Sequence, residues 1–124
     1  EHKGAIAPSL MEGTGRWFFG CDDCQEVCPH NPETPLPADI DFAPRPGRAW
    51  MDLEWVLTAD DDTLERHFEG SPIRRAGPCG LKRNAAVVLG NLADSAARPA
   101  LHRALNHADP VVVDTARWAL ERVG

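Results

Sequence analysis

Leu81 is followed at four, seven and eleven positions by Ala85, Val88 and Leu92, and thirty-one residues later Val112, Ala116, Ala119 and Val123 repeat that spacing. Residues so spaced line one face of a helix, and a face this apolar has to be buried. Leu89 maps onto Leu120 in the same register. Between the two stripes, Ala96 to Leu105 reads as an intervening helix, and Asp109-Pro110 as an N-cap with proline at the first helical position. Helices that recur at a fixed period, none able to bury its apolar face alone, are the mark of an α-solenoid. The period is short for a HEAT repeat, so the spacing predicts an all-α, HEAT-like helical repeat over residues 51–124. A three-helix bundle with a chance repeat fits the same pattern.

Upstream of the first stripe, capping and breaking residues divide the chain into shorter helices. Asp52 can cap a turn carrying Leu53, Val56 and Leu57, and Thr58 or Asp60 can start a second helix with Leu64 and Phe68, which Gly70 ends. Ser71-Pro72 opens a short segment, Ile73 to Ala76, which Gly77-Pro78 is expected to stop before a helix from Leu81 to Leu92.

Residues 1–50 follow different rules. They hold seven of the eleven prolines (Pro8, Pro29, Pro32, Pro35, Pro37, Pro44 and Pro46), and prolines remove backbone donors and prevent long helices. This half is expected to be loop-rich, ordered only at a helical turn through Cys24 to Cys28 and at Trp17, Phe18 and Phe19, which would shield a cofactor or pack as plain core. Cys21, Cys24 and Cys28 fall within eight residues in the order C-x2-C-x3-C-P. In the related bacterial ferredoxin run the last cysteine before proline serves the other cluster of a pair. By that logic Cys21 and Cys24 grip one iron-sulfur cluster and Cys28 reaches a second. Zinc is an alternative, though His30 is the only further ligand close by, and free structural thiols are another. Cys79, in Gly77-Pro78-Cys79-Gly80, reads as a loop thiol or a stray ligand.

The chain has 43% apolar and 26% charged residues and no apolar run near the roughly 20 needed to span a bilayer, as expected for a globular protein outside the membrane. It opens on Glu1 with neither an initiator methionine nor a secretory h-region, and is read as part of a longer cytosolic protein, where thiols tend to metal or redox work. The formal charge is -6, yet Arg66, Arg74, Arg75, Lys82 and Arg83 face only Glu69 between positions 66 and 83, so that window carries +4 and the remainder -10. Arg74 and Arg75 on one short helix and Lys82 and Arg83 at the start of the next would gather where helix ends converge, an arrangement suited to phosphate or RNA. Solvated surface charge, or pairing with Asp60, Asp61 and Asp62, is the plainer alternative. No catalytic constellation is visible, and His2, His30, His67, His102 and His107 are scattered.

Gly20-Cys-Asp-Asp-Cys-Gln-Glu-Val-Cys-Pro29, Gly70-Ser-Pro-Ile-Arg-Arg-Ala76, Arg83-Asn-Ala-Ala-Val-Val-Leu-Gly-Asn91, Asp109-Pro-Val-Val and Trp118-Ala-Leu, in that order, resemble the C-terminal part of the epoxyqueuosine reductase family over nearly the whole chain. The resemblance implies a cytoplasmic oxidoreductase of tRNA processing that reduces epoxyqueuosine to queuosine with cobalamin and two 4Fe-4S clusters. It further implies that residues 1–50 end a ferredoxin-like domain and residues 51–124 form the HEAT-like tail. Cys21 and Cys24 would then be ligands of the second cluster and Cys28 of the first. Arg74, Arg75, Lys82 and Arg83 would contact the tRNA backbone. On this resemblance the cobalamin domain, the proton donor and the first cluster motif precede Glu1, so the chain alone is expected to be inactive, a monomer whose partners are tRNA and an electron donor. The competing expectation is a small helical-repeat interaction module with a zinc-binding or unmetallated cysteine loop.

Overall fold

The computed structural model describes residues 2–32, 35, 39–44 and 50–124, with the side chain of Phe42 excepted. The prolines expected to break the chain at Pro37 and Pro46 lie outside the described residues. The regular elements among them are all helical: α1 (Pro8–Gly13), α2 (Asp23–Glu26), α3 (Leu53–Thr58), α4 (Asp61–His67), α5 (Gly77–Leu92), α6 (Arg98–Ala104) and α7 (Pro110–Arg122), with 3-10 turns at Ile40–Phe42, Pro72–Ala76 and Ser95–Ala97. None of the helices is long and apolar enough to cross a membrane.

Aspartates cap three of the seven α-helices among the described residues. Asp52 accepts from the Trp55 N–H at 2.9 Å, Asp60 from Thr63 at 2.8 Å and Asp109 from Val111 at 2.8 Å, each capping an otherwise orphaned donor. Asp94 does the same for the 3-10 turn before α6 through Ala96, at 2.9 Å. The Thr63 hydroxyl also bonds Asp60 at 2.7 Å, and these two bonds hold the Asp60 carboxyl below its usual range. Proline occupies the first turn of α5, α6 and α7, where a missing N–H costs nothing.

The chain divides into two units, Gly20–Met51 on the one hand and Glu1–Phe19 with Asp52–Gly124 on the other. In the helical unit α5 packs on α7 and α3, and α6 packs on the same two helices. Phe68, Leu64, Leu81, Leu101, Val56 and Val112 are its largest fully buried apolar side chains. Both stripes read from the sequence point inward except at Leu92, which is 42% exposed because α5 ends beneath it.

Two local expectations give way. Gly77 to Gly80 is not a turn that separates two helices: it is the first turn of α5. Gly77 adopts φ 70°, a left-handed value open to glycine, and this lets the 3-10 turn run directly into a helix whose first turn also accepts Pro78. Residues 8–13 form α1, where loop was expected, because Pro8 presets the first helical φ and Met11 is buried on the side where α1 packs against α5. Arg122 of α7 closes on Glu12 of α1 at 2.7 Å.

Candidate functional site

The cysteine segment is built around a single helical turn. Gly20, at φ 65°, precedes Cys21; Cys24 lies within α2; and Cys28 follows it. Asn31 folds back on the turn, its amide donating to the Gln25 side chain at 2.8 Å while its backbone N–H bonds the Cys28 carbonyl at 3.0 Å. Cys21 and Cys24 are exposed, Cys28 is half-buried, and all three are free thiols. Three soft donors on one short turn, none of them in a disulfide, are chemically suited to an iron-sulfur cluster. Trp17 is exposed and Phe18 and Phe19 are half-buried, so none of the three belongs to the buried core.

The basic window is split by burial. Arg74 and Arg75 are exposed on the 3-10 turn Pro72–Ala76, and Arg74 lines a cleft with Asp62, Glu65, Arg66 and Glu69. Lys82 and Arg83 are each only 5% exposed, and the structure does not bring them onto the surface that carries the other two. Lys82 Nζ meets Asp61 at 2.6 Å and His107 Nε2 at 3.3 Å. Arg83 is engaged on three sides, donating to the carbonyls of His2 and Gly4 at 2.9 and 2.8 Å and to Asn84 Oδ1 from Nε and Nη2 at 3.1 and 2.8 Å. Burial pulls its guanidinium below the ordinary arginine value. The reach of a long side chain hides this outcome from the sequence, since a Lys-Arg pair at a helix start reads the same whether it points out or folds in.

Asn84 and Asn91 extend this anchorage. Asn84 Nδ2 donates to the Phe18 carbonyl at 3.0 Å, and Asn91 Nδ2 to the carbonyls of Met11 and Gly15 at 2.8 and 2.9 Å. A row of side chains on α5 thereby holds the backbone of residues 2–18. The sequence does carry a signal for this row: two asparagines seven positions apart on one face of a helix that is otherwise apolar after Arg83.

Asp61, Cys79 and His107 bring ligand-type atoms within 4.8 Å of one another. Their chemistry is already committed. His107 Nδ1 accepts from the Asp109 N–H at 3.0 Å and its Nε2 stands 3.3 Å from Lys82 Nζ, so both ring nitrogens are engaged. Metal ligation through Nε2 would place a cation beside the Lys82 ammonium, which already holds Asp61. The cluster is the surround of a buried lysine.

No protein-family model matches the chain. Curated relatives do. An epoxyqueuosine reductase of Xanthomonas campestris is 37% identical over 125 residues, spanning 100% of this chain and 35% of its own length. One from Pseudomonas aeruginosa is 40% identical over 126 residues, with 100% of this chain and 35% of its own length covered. A solved epoxyqueuosine reductase in complex with an epoxyqueuosine-modified tRNA-Tyr stem loop superposes with a TM-score of 0.88 at 27% identity, over 99% of this chain and 33% of that one. The chain thus spans about a third of the length of the proteins it matches.

Proposed function

On the premise that this chain is homologous along its length to part of the epoxyqueuosine reductases, we propose that it is the portion of such an oxidoreductase that supplies iron-sulfur ligands and a tRNA-docking surface. The observation that carries the reading is this whole-length similarity, which includes a relative solved with a modified tRNA stem loop. Cys21 and Cys24 are assigned to one 4Fe-4S cluster and Cys28 to another, with the remaining ligands contributed by sequence outside this chain. When bound, the clusters supply single electrons to cobalamin, held elsewhere in the protein, for reduction of epoxyqueuosine to queuosine in tRNA. Asn31 and the turn of α2 hold the thiols together on a short arc, and α3 to α7 form a HEAT-like support.

Arg74 and Arg75 are the residues assigned to the tRNA backbone, because exposed guanidinium groups can grip phosphate bidentately. Lys82 and Arg83 serve the same surface from beneath by tying α5 to Asp61 and to the arm at residues 2–4. Soluble, cytoplasmic work as a monomer fits a tRNA-modifying protein that receives its electrons from a separate donor.

The test is an anaerobic preparation of the complete gene product, analysed for iron and acid-labile sulfide and then titrated with tRNA at several salt concentrations. Iron and sulfide in near-equal amounts are expected. Arg74→Ala with Arg75→Ala is expected to weaken tRNA binding and to lower the slope of log K against log salt by about 1 to 2. Stoichiometric zinc without sulfide would leave a helical-repeat interaction module with a zinc loop as the better description.

A further inference from the structure

We propose that Asn84 is a positioning residue for the cysteine segment, fixing the point at which that segment leaves the helical unit. The inference rests on the assignment of Cys21, Cys24 and Cys28 as cluster ligands. Its observation is a locked amide. Asn84 Oδ1 is occupied by two donors from Arg83, at 3.1 and 2.8 Å, so Nδ2 has to be the group that faces the chain, and it holds the Phe18 carbonyl at 3.0 Å. Arg83 is itself fixed by burial and by the carbonyls of His2 and Gly4. The orientation of Asn84 is therefore set by a side chain that cannot easily turn.

Phe18 is the last residue of the arm held in this way, and Cys21 follows three positions later. At the far end of the segment Asp52 caps α3 through Trp55, a bond within the first turn of that helix. The Asn84 contact thus fixes the backbone two residues before Gly20, which removes conformational freedom at the entry to the segment that the ligands would otherwise lose on taking up metal. Asn91 holds Met11 and Gly15 in the same arm but farther from the cysteines in chain order. It supplies a comparison that shares the hydrogen-bond chemistry and differs in place.

Asn84→Asp separates the two functions of the residue, because a carboxylate keeps both acceptor contacts with Arg83 and loses the donor to Phe18. In the complete gene product, loaded with iron and sulfide without oxygen, release of iron to a chelator is expected to be about tenfold faster than in the unsubstituted protein, the size typical of losing an outer-shell support. The electron paramagnetic resonance signal of the reduced protein is expected to change, and Asn84→Gln, which retains both amide functions, is expected to restore part of the slower release. Asn91→Asp is expected to lower thermal stability while leaving the iron release rate unchanged. Asn84→Ala is measured alongside so that a folding failure of one variant does not remove the comparison. Release rates and spectra in both Asn84 variants equal to those of the unsubstituted protein overturn the proposal, as does equal acceleration by Asn84→Asp and Asn91→Asp. An unsubstituted protein that takes up no iron overturns the cluster assignment, and the positioning role falls with it.

Discussion

Cys79 shows how a residue's surroundings decide its chemistry. It lies in the first turn of α5, a position that in isolation favours thiolate. Burial pushes its thiol up instead, and a hydrogen bond and negative charge from Asp109, with the charge of Asp61, act in the same direction against Lys82. A raised thiol value means less thiolate at any given pH, so Cys79 is expected to be the slowest of the four cysteines to react with iodoacetamide in metal-free protein at pH 8. Its lag should shrink as pH rises beyond the ordinary thiol range. Peptide mass spectrometry after timed quenching checks this, and a Cys79 rate equal to that of Cys21 would contradict the placement. The sequence set Cys79 apart from the three clustered cysteines, as a loop thiol or a stray ligand. The environment of Cys79 was not legible there, because Asp61 and Asp109 stand eighteen residues before it and thirty after. Lys82 and Arg83 teach the same lesson from the other side: their charge is written in the sequence, whereas the carbonyls of His2 and Gly4 that absorb Arg83 come from the far end of the chain.

Among the elements, the contact of α5 with α7 depends on one small residue. A Cβ placed on Gly90 would stand 2.6 Å from Trp118 Cζ3 and 3.0 Å from the Cα and Cβ of Ala119. The indole can shift, but the Ala119 backbone belongs to the helix and cannot move without separating the pair. Gly90→Ala is accordingly expected to destabilise the helical unit by about 2 kcal/mol despite the better helix propensity of alanine, lowering Tm by roughly 10 °C. Thermal unfolding followed by circular dichroism measures it, and a stability equal to or above that of the unsubstituted protein would mean that the two helices are not in such close contact. The periodic stripes made α5 and α7 readable because burial at every third or fourth position leaves a long-range trace in composition. α1 left none, since six residues with one buried side chain, Met11, are too few to establish a period. The start of α5 was missed for a different reason: Gly-Pro usually breaks a helix, and only the positive φ at Gly77 turns it into an opening.

For the molecule as a whole, the decisive asymmetry is where apolar surface is buried. The buried hydrophobic residues described here are Met11 and residues between Val56 and Val123, all in the helical unit. Within Gly20–Met51 the described residues include no buried side chain, and Trp50 is 90% exposed. Described residues that form no core cannot offset their ordering entropy by hydrophobic burial, so in the proposed holoprotein their order has to come from metal ligation and from the anchor at Phe18. Replacing residues 20–51 by a flexible Gly/Ser linker of about 10 residues should therefore leave the arm and α3 to α7 folding as one cooperative body, with Tm within about 5 °C of the parent chain. Loss of the cooperative transition would mean that the cysteine segment contributes to the core. An unchanged transition together with loss of iron uptake in the complete gene product would assign stability to one unit and the proposed cofactor chemistry to the other.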